Sequence, residues 1–122
     1  MAVTYQRDLG VDIEVNRAIP HLDSLGQRYL APLEIEQLAR ADDRVRAFWT
    51  AWTRKEAYIK ALGTGLSERL CEFAVSLSTP GRLLTTARLD DDMADWTMLD
   101  LSSDVHLVAV AVRARSVSVD VH

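Results

Sequence analysis

Between residues 9 and 15 the chain alternates. Val11, Ile13 and Val15 occupy one set of positions, and Gly10, Asp12 and Glu14 the other. A period of two predicts a strand with the three branched residues on one face and both acids on the opposite face. Residues 2–6 carry the same strand character, so a tight turn at Arg7-Asp8 would close an N-terminal hairpin. The stretch 20–41 reads as two short helices. Pro32 sits in the first turn of the second, with Leu33, Ile35 and Leu38 at its apolar positions. Asp42 and Asp43 then offer a cap and early negative charge for a longer helix over 43–62, which Gly63 and Gly65 would end. After that the pattern changes to strands at 73–77, 83–89, 96–101 and 105–112, with a turn at Pro80-Gly81 and solvated turns at 90–92 and 102–104. Residues 113–122 are expected to form a frayed tail. Together these elements predict a single α+β domain over 1–122, an antiparallel sheet packed against one long helix and two short ones. Strand character that begins at position 2 further predicts a sheet entered part-way, as in a chain that lacks a first lobe.

The long helix carries the sharpest chemical clue. Its apolar stripe runs Val45, Trp49, Trp52 and Ile59, with Phe48 and Leu62 beside it. Steps of four and three from Val45 reach 49, 52, 56 and 59, which predicts Glu56 in the middle of that stripe. A buried carboxylate costs several kcal/mol unless it is paired, protonated or bound to a cation. Lys60, one turn on, offers an ordinary ion pair. Asp12 and Glu14 offer a different partner. Two acids on a strand face are by themselves consistent with a solvated surface. If the helix packs near that strand, however, three carboxylates converge into a hard, oxygen-rich site of the kind that suits Mg²⁺. Lys60 and the glycine-rich stretch from Gly63 to Gly65 would then face phosphate groups.

Composition narrows this picture. The chain has 122 residues and a formal net charge of −4, which argues against a nucleic-acid binder working through a broad basic face. No apolar run approaches the roughly 18 residues of a membrane span, and the N-terminus is too polar for a signal peptide. A single cysteine, Cys71, excludes an internal disulfide and fits a reducing cytoplasm. Twelve arginines stand against two lysines, and both lysines, Lys55 and Lys60, fall within the long helix. Two positions there use a compact point charge where arginine serves everywhere else. Other candidates lack context. His21, His106 and His122 show no metal spacing, Ser24 and Ser67 have no local triad, and Cys71 is expected to be a buried structural thiol. Trp49 and Trp52 read as core.

The segment GVDIE at 10–14, followed by WTRKEAYIKALGTGL at 52–66, resembles the 4′-phosphopantetheinyl transferase superfamily. The resemblance extends through RYLAPLEIEQL at 28–38 and FAVSL at 73–77, and is nearest to the C-terminal half of the two-lobed type that activates surfactin synthetase. The length instead is similar to that of the small holo-acyl-carrier-protein synthases. The resemblance implies transfer of phosphopantetheine from coenzyme A to a serine of an acyl or peptidyl carrier protein, with Mg²⁺ and release of adenosine 3′,5′-bisphosphate. It implies that Asp12, Glu14 and Glu56 hold Mg²⁺ and that Lys60 contacts the phosphates. It implies that Glu34 takes the serine proton, directly or through water, and that Lys55 is the motif lysine beside the cofactor. The first lobe, which in the two-lobed type holds the nucleotide of coenzyme A, has no counterpart here. A homo-oligomer or a partner lobe would therefore complete the site. Two alternatives stand beside this: a non-catalytic half-domain that binds a carrier protein or partner subunit, and an unrelated Mg²⁺-dependent phosphohydrolase.

Overall fold

A computed structural model describes residues 9–63, 69–86 and 93–113. The first strand, β1 (Leu9–Val15), has the bounds that alternation predicts. Two short helices follow, α1 (Leu22–Tyr29) and α2 (Pro32–Arg40), and then the long helix α3 (Arg44–Leu62). The capping chemistry holds. Asp43 accepts a hydrogen bond from the Arg46 amide at 3.1 Å, and Pro32 occupies the first turn of α2. Gly63 closes α3 at φ 70°, a left-handed position that glycine adopts without strain. A 3₁₀ turn at Leu70–Glu72 leads to β2 (Ala74–Val75) and β3 (Leu83–Thr85), and a second at Met93–Asp95 precedes β4 (Trp96–Asp100) and β5 (His106–Arg113). The expected strand at 2–6, Gly65, the turn at 90–92 and residues 114–122 lie outside the described residues.

The strands do not form one meander. β1 runs antiparallel to β5, which runs antiparallel to β4, while β2 and β3 make a separate two-stranded ribbon. Asp12 stands opposite Ala109, and Glu14 opposite Leu107. Pairing of the first described strand with the last is a long-range contact, and local turn signals carry no information about it.

Helix α3 lies across the acid-bearing side of β1. Gly10 makes this possible. A Cβ added there would collide with the Ala57 carbonyl oxygen and the Ala61 amide nitrogen. Helix backbone and strand backbone therefore touch at this point, which only glycine permits. One consequence reverses the usual arrangement: the acid side of β1 faces the helix, and the branched residues point away. Asp12 is 6% exposed, while Ile13 is 59% exposed and Val11 and Val15 are open as well.

The helix is buried more widely than the expected stripe. Phe48, Trp49 and Ile59 are buried, but so are Ala51, Thr53, Arg54, Lys55, Ala57, Tyr58 and Ala61, while Val45, Trp52 and Leu62 are partly exposed and Glu56 is only half-buried. Alanines and long polar residues line the buried sides of α3, because it is packed by the sheet on one side and by α2 and β2 on the other. A pattern read from large apolar residues finds Phe48, Trp49 and Ile59 but misses these positions. Tyr58 anchors one core cluster between the rings of Phe73 and Trp96, with centroids 4.8 and 4.7 Å away. Leu30, Leu38, Phe48, Trp49 and Leu107 form a second.

Candidate metal and phosphate site

The contact at Gly10 brings the C-terminal turns of α3 against the start of β1. Lys60 Nζ donates to Asp12 Oδ1 at 2.8 Å, across 48 residues of chain. The local Glu56–Lys60 pairing that helix spacing suggests is therefore replaced by a tertiary one. The other carboxylate oxygen, Asp12 Oδ2, is buried and has no hydrogen-bond partner among the described residues. Buried polar atoms are almost always satisfied, so an orphaned carboxylate oxygen points to a missing cation or donor. Glu56 faces the same group. Burial first, and then the negative charge of Asp12, pushes its carboxyl above the ordinary range, while Lys60 pulls it back. Glu14 adds a smaller push in the same direction. The bond to Asp12 raises the Lys60 ammonium, which at 52% side-chain exposure still reaches solvent.

Three acids and a lysine thus share one edge of the helix–sheet contact. Among the described residues, no group of three or more His, Cys, Asp or Glu side chains is arranged to hold a metal ion as it stands. Two cations lie among the acids instead: Lys60 on Asp12, and Arg17, whose Nη1 is 3.7 Å from Glu14 Oε2. The donor set nevertheless fits a hard divalent ion, with carboxylates only, one of them already desolvated and short of a partner. Gly63 closes the same helix end as Lys60.

Arg17 has no signal in the sequence pattern. Its guanidinium lies over the Trp49 ring at 4.2 Å, and its carbonyl accepts from Trp49 Nε1 at 2.9 Å. These contacts fix a second positive charge at the rim of the acids. Only the folding of residues 15–17 onto α3 brings it there.

Glu34 and Lys55 are held elsewhere. Both are fully buried, and Lys55 Nζ lies 2.6 Å from Glu34 Oε1. Neither has a hydrogen bond or ion pair with Asp12, Glu14 or Glu56. The four remaining histidine, serine and cysteine expectations that fall on described residues are unremarkable: His21 precedes α1, Ser24 lies within it, His106 opens β5 on the surface, and Cys71 is partly exposed rather than buried.

Comparison with known proteins decides the family. The model of the 4′-phosphopantetheinyl transferase superfamily matches residues 8–111. The chain belongs to that superfamily. It is 34% identical over 116 residues to the 4′-phosphopantetheinyl transferase HetI of Nostoc sp., a match covering 93% of this chain and 46% of that protein. It is 37% identical over 83 residues to the holo-[acyl-carrier-protein] synthase of Edwardsiella ictaluri, covering 65% of this chain and 66% of the relative. In fold it is similar to the holo-[acyl-carrier-protein] synthase of Thermotoga maritima, with a TM-score of 0.70 at 21% identity over 89% of this chain and 64% of that one. The chain spans less than half the length of the Nostoc relative. The superfamily match includes β1, α2 and α3, and so every acid and lysine described above.

Proposed function

We propose that this chain carries the metal half of a phosphopantetheinyl transferase site. The reaction moves 4′-phosphopantetheine from coenzyme A to a serine of an acyl or peptidyl carrier protein. A serine oxygen–phosphorus bond forms, the pyrophosphate phosphorus–oxygen bond breaks, adenosine 3′,5′-bisphosphate leaves, and the serine proton passes to water. The observation that carries this reading is the buried, unpartnered Asp12 Oδ2 beside Glu56, Glu14 and Lys60. Asp12, Glu14 and Glu56 would hold Mg²⁺, which when bound supplies charge neutralisation at the reacting phosphates. Lys60 would turn from Asp12 towards a phosphate oxygen once the acids have another counter-ion. Its exposure leaves it free to do so.

Another copy of this chain, or a partner lobe, would help hold the nucleotide of coenzyme A. The open face of the sheet supports this. Leu9, Val11, Ile13 and Val15 of β1 are all exposed, and β5 sets the partly exposed Val108 and Val110 opposite Ile13 and Val11. Contiguous apolar surface of this kind marks an interaction site. A cytoplasmic setting, where carrier proteins are modified, belongs to the same proposal. No described helix is long and apolar enough to cross a membrane.

The direct test is incubation of the purified chain with labelled coenzyme A, Mg²⁺ and an apo carrier protein, with sedimentation under the same conditions. Label on the carrier serine is the expected result. A strict monomer that neither binds coenzyme A nor transfers label would overturn it and favour the non-catalytic half-domain. Phosphate release from a nucleotide without transfer would favour the phosphohydrolase.

A further inference from the structure

Both oxygens of the Glu34 carboxylate already accept hydrogen bonds from the chain itself. Oε1 accepts from Lys55 Nζ at 2.6 Å and from the Ala31 amide at 2.8 Å, and Oε2 accepts from the Val75 amide at 2.7 Å. Lys55 in turn donates to the Phe73 carbonyl and sits 4.3 Å over the Phe73 ring. Neither side chain has any exposed surface. A proton acceptor must reach the hydroxyl it deprotonates, within hydrogen-bond distance or through one water. Glu34 is sealed from solvent and surrounded by donors from its own chain.

What the pair does touch is informative. It joins three segments: the N-terminus of α2 through Ala31, the centre of α3 through Lys55, and β2 through Phe73 and Val75. Lys55 is the immediate neighbour of Glu56, whose carboxyl faces β1 instead. Two lysines therefore fasten α3 on opposite sides, Lys55 to α2 and β2, and Lys60 to β1. The clamp fixes the height and rotation of the helix turn that presents Glu56 to Asp12.

We propose that Glu34 and Lys55 are positioning residues: a buried charge clamp that sets α3 against β1, with no contact to substrate and no proton transferred. This rests on the reading of Asp12, Glu14 and Glu56 as the Mg²⁺ ligands. Removing one member leaves the other charge buried and uncompensated, whereas removing both is far less costly. Groups that support metal ligands from behind commonly change affinity or activity by about 10- to 100-fold when lost.

The test compares Glu34→Gln, Lys55→Met and the double variant. Three quantities are measured: urea unfolding, Mg²⁺ affinity by calorimetry, and kcat and KM of transfer. The clamp predicts that Glu34→Gln lowers the unfolding midpoint and weakens Mg²⁺ binding about tenfold or more. The double variant should recover a large part of both, with strong coupling in the unfolding cycle. Glu34→Gln and the double variant equally inactive, with wild-type Mg²⁺ affinity and wild-type unfolding, would show that Glu34 takes part in the chemistry. Strictly additive unfolding effects would also overturn the clamp. If the wild-type chain transfers nothing, the transferase proposal fails, but the unfolding cycle still decides the clamp.

Discussion

Lys60 Nζ lies 2.8 Å from Asp12 Oδ1, so the helix that carries Glu56 is tied to the strand that carries Asp12 and Glu14. The ammonium stands on the same carboxylate that a divalent ion would need. Lysine and metal therefore compete for Asp12, and lysine is also the group suited to the phosphates. Lys60→Met is expected to tighten Mg²⁺ binding several-fold in calorimetry while lowering transfer by about 100-fold, the scale of losing one charge-stabilising group. Weaker Mg²⁺ binding in this variant would show that Lys60 supports the ligands rather than competing with them.

Gly10 governs the approach of the same two elements. A methyl group there meets the backbone of Ala57 and Ala61, which cannot rotate away as a side chain could. Gly10→Ala should cost about 1–3 kcal/mol or more, read as a lower urea midpoint, and should weaken Mg²⁺ binding because Asp12 and Glu56 move apart. An unchanged midpoint would mean that the strand can shift at no cost.

Glu56→Gln keeps the shape of the side chain and removes its charge. The half-buried position predicts a folded protein of equal or greater stability. Mg²⁺ affinity and transfer should both fall below detection. A fully active variant would remove Glu56 from the metal site.

The raised Glu56 carboxyl gives a pH signature. Its folded-state value lies above its unfolded value, so between the two the native state binds more protons than the unfolded state. In that window stability falls as pH rises. Unfolding followed from mildly acidic to neutral pH without Mg²⁺ should show this decline. Added Mg²⁺ should oppose it, and Glu56→Gln should remove its contribution.

On the far side of the sheet, Ile13 is 59% exposed and contributes little to the core of the single chain. Ile13→Asp should leave the unfolding midpoint of the monomer nearly unchanged and reduce self-association in sedimentation experiments. An assembly that persists would place the contact elsewhere.

Local rules were enough for much of this protein. Alternation gave β1, Pro32 and Asp43 marked where α2 and α3 begin, and Gly63 marked where α3 ends, because each of these acts through its own backbone within a turn. The acids and Lys60 were visible through their spacing in two short segments, and the family through those same segments. Three things were decided only in the folded chain. Local spacing could pair Lys60 only with Glu56, yet its partner is Asp12, because β1 meets α3 through Gly10. The apolar side of β1 was free to face inward until the helix took the acid side. Glu34 and Lys55 entered only through the family resemblance, and the fold buries them against each other and the backbone groups of Ala31, Phe73 and Val75. The physical reason is common to all three. Spacing along the chain fixes which side chains share a face, but which face is covered, and by what, depends on contacts between residues tens of positions apart.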